Sequence, residues 1–214
     1  MPTNIVLTER TRETHAALLG AARSVFEEEG YDGASVSQVV DRAGVSRGTF
    51  YIYFESKEDI LQTIAEQIES DIQSMQTGID QITGDEATRA AELIRSSTRR
   101  FLRFYRDNAK MMAVLEQVAT HHPLFKHLRL RMRRSAAFRA IGLIERLQGS
   151  GLVPDTVNAR YAAVALTGMV DRFAYVWFIL EDDFDEDTAV GELSRLWFQA
   201  VSATPIAPAP APPS

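Results

Sequence analysis

Apolar positions along this chain recur at intervals of three and four residues, and no stretch alternates convincingly as a strand would. Leu18, Leu19, Ala22, Val25 and Phe26 share one helical face and Gly30 follows as a stop, which predicts a helix over about residues 10–29. Ser35 stands three residues before Gln38, the spacing of a capping box. Val36, Val39, Val40 and Ala43 follow at helical intervals, so a short second helix should end at Gly44. Ser46 can cap a third short helix to about Tyr53. Ser56, with Lys57, Glu58 and Asp59 behind it, opens a fourth to about Met75, lined on one face by Ile60, Leu61, Ile64, Ile68 and Ile72.

Gly78 and Gly84 bracket a polar stretch that reads as a linker. Beyond it Leu93, Ile94, Phe101, Leu102 and Tyr105 predict a helix over about 85–107. Another spans Ala109 to Ala119 and stops near His121, His122 and Pro123. Pro123 begins a long arginine-rich helix to about Gln148, closed by Gly149 and Gly151. Asp155 can cap the next helix, to about Leu180. The acidic run Glu181 to Asp187 breaks the pattern before a last helix marked by Val190, Leu193, Trp197 and Val201. The proline-rich tail, residues 204–214, cannot build a core and is expected to be disordered or polyproline-like. The expected organisation is all-α: a flexible arm over 1–9, an N-terminal domain over 10–76 with a helix pair at 35–54, and a C-terminal helical domain over 85–203.

Composition narrows the function classes. The chain is 45% apolar and 24% charged, as in an ordinary globular protein, and has no cysteine, which removes disulfides, thiolate metal sites and thiol nucleophiles. No segment approaches the roughly 18 apolar residues that cross a bilayer, and Met1 to Glu13 is too polar for a signal peptide, so no membrane partner and a cytoplasmic location are expected. No Gly-rich phosphate loop, Ser-His-Asp set or metal-ligand spacing is present, so neither an enzyme nor a cofactor is expected. His121 and His122 are adjacent, point to different faces and lack a carboxylate cluster, which favours polar loop residues over metal ligands. The net charge of −6 runs against nucleic acid, so only a local basic face could support DNA binding.

Such a face is offered by Ser35 to Phe54, SVSQVVDRAGVSRGTFYIYF, followed by Lys57. Two short capped helices meet at the turn Ala43-Gly44-Val45, the arrangement in which one helix braces while the next enters a major groove. Ser46, Arg47, Gly48 and Thr49 form the leading turn of the second helix, with small side chains that let backbone approach DNA. Arg47 alone among them has the bidentate reach for guanine. Tyr51 and Tyr53 place hydroxyls along the same edge, and Lys57 adds a point charge.

At these residues the chain resembles the TetR (TetR/AcrR) family of regulators. The resemblance runs through Phe26, Gly30 and Tyr31, the Ala-Gly-Val-Ser turn, Gly48-Thr49, Tyr51, Tyr53, Phe54 and Ser56-Lys57-Glu58, to about Ile68, close to a third of the chain. It implies a ligand-responsive, sequence-specific DNA-binding regulator, most often a repressor. It also implies a homodimer on a palindromic double-stranded operator, with a three-helix helix-turn-helix domain and a C-terminal domain for effector binding and dimerisation. Tyr51, Tyr53 and Lys57 resemble phosphate contacts, Arg47 and Thr49 operator-reading positions, and Arg12, Ser35 and Ser37 are implied near phosphate. Ile52 departs from the polar or aromatic residue frequent there, so a relative's operator does not transfer. A helical adaptor of the same fold without DNA binding is the alternative kept alive by the acidic N-terminal domain.

In the C-terminal half the helix from Tyr161 to Leu180 is apolar around most of its circumference, so it must be buried on several sides. Two arrangements satisfy this: an internal core helix, or a twofold four-helix interface with the last helix and a second copy of both, in which Met169, Val176 and Trp197 would meet the partner. Phe101, Tyr105, Met111, Met112, Phe125, Phe173 and Trp177 could line an effector cavity or simply pack. Asp171 and Arg172 pair structurally or meet an effector's polar group. Arg129, Arg131, Arg133, Arg134 and Arg139 form either a solvated helix face or an anion-binding rim. The aromatic content suggests a small, mainly apolar effector with one polar handle.

Overall fold

A computed structural model describes residues 9–74 and 85–202, and their regular structure is α-helical throughout. The expected flexible arm up to Thr8, the glycine-bracketed linker and the proline-rich tail lie outside the described residues. The helices are α1 (Glu9–Gly33), α2 (Val36–Ala43), α3 (Arg47–Tyr53), α4 (Lys57–Ser74), α5 (Glu86–Asp107), α6 (Ala109–Ala119), α7 (Pro123–Gly149), α8 (Ala159–Phe178) and α9 (Glu186–Ser202).

Three helix boundaries differ from the sequence pattern for local reasons. Gly30 does break α1, at φ 69 and ψ 176, but one more turn follows, and the Ala34 N–H donates to the Gly30 carbonyl at 3.2 Å. α8 starts at Ala159 rather than near Asp155. Asn158 is its cap, accepting from the Tyr161 N–H at 3.2 Å, while the Gln148 amide holds the carbonyls of Pro154 and Val157 at 3.2 and 2.8 Å. α9 begins inside the acidic run, because Asp185 accepts from the Thr188 N–H at 2.8 Å and so caps it.

The chain divides into two compact units. The first comprises residues up to Asp71 together with Asn108–Arg129. Its core holds Leu18, Ala22, Val25 and Phe26 of α1, Val39 and Val40 of α2, Phe50 of α3, and Ile60, Leu61 and Ile64 of α4. The sequence pattern puts α6 with the C-terminal domain, whereas packing puts it here. α6 lies on α1, the Arg23 guanidinium donates to the Asn108 side-chain oxygen at 2.7 Å, and Met111, Met112 and Phe125 are completely buried in this unit.

The second unit holds α5, most of α7, α8 and α9. Ala90 and Ile94 of α5, Ile144 and Leu147 of α7, Ala163 and Leu166 of α8, and Trp197 and Val201 of α9 form one cluster. The start of α9 is tied to α5 by charge: Glu186 accepts from Arg103 at 2.7 Å and from Arg99 and Arg106 at 3.4 Å, and Asp187 accepts from Arg99 at 2.7 Å.

Trp197 corrects an expectation. It does not face outward to a partner; only 5% exposed, it fills the protomer's own core. α9 turns Val190, Leu193, Ser194, Trp197 and Val201 inward and leaves Leu196 outside. Trp197→Ala should therefore destabilise the folded chain by roughly 3–5 kcal/mol, the usual cost of emptying a large buried aromatic site. Chemical denaturation checks it, and a cost near zero would return Trp197 to the surface.

Candidate nucleic-acid interface

The helix pair forms as its caps dictate. Ser35 accepts from the Gln38 N–H, its own N–H donates to the Gln38 side-chain oxygen at 2.8 Å, and the capping box closes. Gly44 ends α2 in the left-handed region at φ 68, and the Val45 N–H donates to the Val40 carbonyl at 3.1 Å. A Cβ at Gly44 would meet open space, so backbone conformation rather than room selects glycine here. Ser46 then caps α3, accepting from the Thr49 N–H at 3.1 Å, with the two hydroxyls 2.9 Å apart.

α3 is anchored by Phe50, which is fully buried, and turns Tyr51 and Ile52 outward, 58% and 67% exposed. Arg47 and Gly48 are exposed in its first turn, and the Arg47 guanidinium donates to the Ser37 hydroxyl. Gly48 has ordinary room for a Cβ, its nearest neighbour being the Ser46 Oγ at 3.7 Å, so its own fold does not demand glycine. Tyr53 is half-buried, with His15 of α1 6.0 Å away; that imidazole stacks on Phe54 at 5.2 Å. Arg12 is exposed on α1. Two glutamates of the acidic run are matched within the unit: Glu27 by Arg23 at 2.9 Å, and Glu28 by both nitrogens of Arg42 at 2.7 Å.

Lys57 departs from the picture of a free point charge. Its ammonium donates to the carbonyls of Tyr31 at 2.8 Å and Ala34 at 3.1 Å, and sits 4.4 Å from the centre of the Tyr31 ring. The Tyr31 hydroxyl in turn donates to the Glu58 carboxylate. Burial, reinforced by that carboxylate, raises the Tyr31 pKa, and the same hydrogen bond lowers that of Glu58. The stabilisation from this link is complete above the ordinary carboxylate pKa and is lost as pH falls through the lowered Glu58 value.

Residues 18–64 match the family described as bacterial regulatory proteins, tetR family. The chain is 30% identical over 181 residues to the HTH-type transcriptional repressor BepR of Brucella suis, covering 81% of this chain and 84% of that protein. The chain belongs to the TetR family. It is also 25% identical over 185 residues to the fatty acid metabolism regulator protein of Bacillus subtilis, covering 83% of this chain and 90% of the relative. Other relatives match over less, in one case 62 residues that make up 32% of the relative. The fold is that of a Bacillus subtilis FadR crystal structure in complex with stearoyl-CoA, at TM-score 0.69 and 20% identity over 87% of this chain and 99% of that one. The TetR family is one of transcription regulators, and no helix among the described residues is long and apolar enough to cross a membrane.

The residues this TetR-family chain offers as an effector lining separate into two groups. Met111, Met112 and Phe125 fill the core of the first unit, as above; methionine and phenylalanine signal burial but not against what. Phe101, Tyr105, Phe173 and Trp177 belong to the second unit, where rings touch in sequence: Phe101 to Tyr105 at 5.8 Å, Tyr105 to Phe178 at 6.3 Å, Phe178 to Trp177 at 4.4 Å, and Trp177 to Phe173 at 6.0 Å. Phe184, in the loop before α9, closes on Phe173 at 4.7 Å. Asp171 accepts from Arg133 at 3.4 Å, and Arg172 lies over the Tyr175 ring at 4.4 Å. His121 lies beside the Thr120 hydroxyl, and no group of three metal-ligating side chains occurs among the described residues.

Sequence reasoning missed an apolar groove of about 540 Å³ between α8 and α9, lined by Met169, Phe173, Val176, Leu193 and Leu196, with Phe184 at its edge. Leu196 was its signal: an exposed apolar residue on the flank of the buried α9 stripe of Val190, Leu193 and Trp197. Because Lys57 knits the end of α1 to the start of α4, Lys57→Ala should lower the melting temperature by several degrees, about 1–2 kcal/mol for two lost hydrogen bonds. An unchanged melting curve would show that the ammonium contributes nothing to the unit.

Proposed function

We propose that this chain is a repressor that holds a palindromic operator as a homodimer and is released by a small, mainly apolar effector. The observation that carries the DNA reading is α3, a helix capped at its start and anchored by Phe50, that exposes Arg47, Gly48, Tyr51 and Ile52 together. Nothing in the protomer's own packing calls for those side chains in solvent. In this reading Arg47 and Thr49 address bases, and Ile52 offers only a methyl-sized apolar contact to thymine. Tyr51, Tyr53, Arg12 and the hydroxyls of Ser35, Ser37 and Ser46 address phosphate. Lys57 contributes its one remaining N–H, since two already serve carbonyls.

Arg47→Ala should cost on the order of 1–3 kcal/mol per half-site, mainly on the cognate sequence, with Tm unchanged. Lys57→Ala should weaken cognate and scrambled DNA alike and lower the salt slope by up to about one unit per half-site. A salt titration of both variants on both duplexes decides this. Equal losses for Arg47→Ala on cognate and scrambled DNA would remove its reading role.

The effector reading rests on the run of rings from Phe101 to Phe184, with Tyr105 fully buried, Phe184 partly exposed and the others half-buried, an apolar lining that suits an aliphatic or aromatic body with one polar group. The similarity to a protein named as a fatty acid metabolism regulator makes acyl chains, as acids or thioesters, the first class to try. Binding would favour a dimer whose two heads no longer match the half-site spacing. Thermal-shift screening should show stabilisation by such compounds, and the same compounds should release operator in a mobility-shift assay. Response to sugars or small hydrophilic ions alone would overturn the apolar assignment.

A further inference from the structure

α3 carries its least polar residues on the face farthest from its own core. Phe50 fixes the inner face of the helix, since it is fully buried. At about 100° per residue, Gly48 and Ile52 flank the line directly opposite Phe50, each within about 20° of it. Neither has a side-chain donor or acceptor, so this outermost ridge is apolar. The polar side chains stand to its sides, Thr49 on one flank and Arg47 and Tyr51 on the other. Ile52 is 67% exposed, and a Cβ on Gly48 would find ordinary room, with the Ser46 Oγ nearest at 3.7 Å. Packing within the protomer therefore explains neither the isoleucine nor the glycine.

We propose that Ile52 makes this chain a reader of the pyrimidine 5-methyl group, so that 5-methylcytosine can replace thymine at one position of each half-site. Methylation of a cytosine at that position would then strengthen binding. The inference rests on the DNA reading of α3 and adds the chemical group recognised and a DNA modification that regulates it. On a major-groove base edge the one apolar feature is the C5 methyl of thymine; the rest are donors and acceptors. Isoleucine set against one of those strips its water and returns no hydrogen bond, which is unfavourable. Set against a methyl, it takes two apolar groups out of water at once. Thymine and 5-methylcytosine carry the same methyl and differ at C4, as a carbonyl or an amine. An aliphatic side chain does not register that difference. Gly48, one turn earlier on the same ridge, lets the backbone come close enough for Ile52 to reach the methyl.

The test uses the full chain and a duplex that it selects from a random-sequence pool, with Kd read by fluorescence anisotropy. Each thymine in turn, in both half-sites together, is replaced by deoxyuridine, which lacks only the methyl. At one position the wild-type affinity should fall by roughly threefold to fourfold per half-site, the usual worth of one buried methyl-sized group. Cytosine there should bind more weakly than 5-methylcytosine by about the same factor. Ile52→Ala should abolish both ratios at that position and keep the preferences elsewhere, with an unchanged melting curve because the side chain is exposed. Ile52→Val, one methylene smaller, should give intermediate ratios, and it decides if the alanine variant binds too weakly to measure. Three results overturn the proposal and leave operator reading standing: deoxyuridine tolerated at every position, 5-methylcytosine no better than cytosine, or ratios that the variants leave at the wild-type value. A chain that selects no sequence from the pool overturns both.

Discussion

A helix of seven residues has too few internal hydrogen bonds to persist in water, and α3 is such a helix. Its shape is therefore imposed from outside. Ser46 holds its first turn, Phe50 plants its inner face in the core, and the Phe54 N–H returns to the Phe50 carbonyl at 2.9 Å. α2, only one residue longer, has the same weakness and the same remedy, with a capping box at one end and left-handed Gly44 at the other. The broken end of α1 makes the arrangement rigid. Gly30 frees the last carbonyls from the helix ladder, Lys57 takes up two nearby, and Tyr31 reaches Glu58, so α1 and α4 clamp the pair between them. The first unit is, in effect, a mount for one turn and a half of exposed helix.

That mount also resolves the conflict between an acidic chain and an anionic target. The residues of α3 itself, Arg47 to Tyr53, include no acidic side chain. Glu27 and Glu28 are matched by Arg23 and Arg42. In the proposed reading an acidic head keeps counterion release small, so sequence-independent binding should be poor at physiological salt. On that reading discrimination would rest on close contacts of α3, whose first turn carries Gly48, a glycine its own packing does not require.

What could be read in the sequence was what local chemistry decides. The order of helices, the caps at Ser35 and Ser46, the break at Gly30, the stop at Gly44 and the exposed edge of α3 all follow from residue type and spacing. What could not be read was the partner of each buried face. Met111, Met112 and Phe125 announce burial, but only the packing of α6 on α1 shows that they fill the first unit rather than a cavity. Trp197 and Leu196 are neighbours on α9 and equally apolar, yet one is core and the other groove, and helical phase against α5, α7 and α8 decides which. Lys57 looked like a free charge because the carbonyls it meets lie more than twenty residues away along the chain.

The proposed release by an effector sets an energetic requirement that an apolar site can meet. Moving a two-state equilibrium from 1:99 to 99:1 takes about 5.5 kcal/mol of differential affinity, so in a dimer with two sites each ligand must supply about half, near 2.7 kcal/mol. At about 25 cal/mol per Å² of apolar surface, that corresponds to roughly 110 Å² more burial in one state than in the other. A single ring buries more than this, about 150–250 Å². The requirement therefore asks only that one aromatic side chain be covered in one state and uncovered in the other. Phe184 is suited to that part: it sits in a loop outside any helix, is partly exposed, and rests on Phe173 and Trp177. Glu181 opens that loop at φ 60, a conformation that costs a non-glycine residue energy. The strained loop and the ring run lie in the same unit, so a ligand that competes with Phe184 for Phe173 and Trp177 would act on α9 through its first turn.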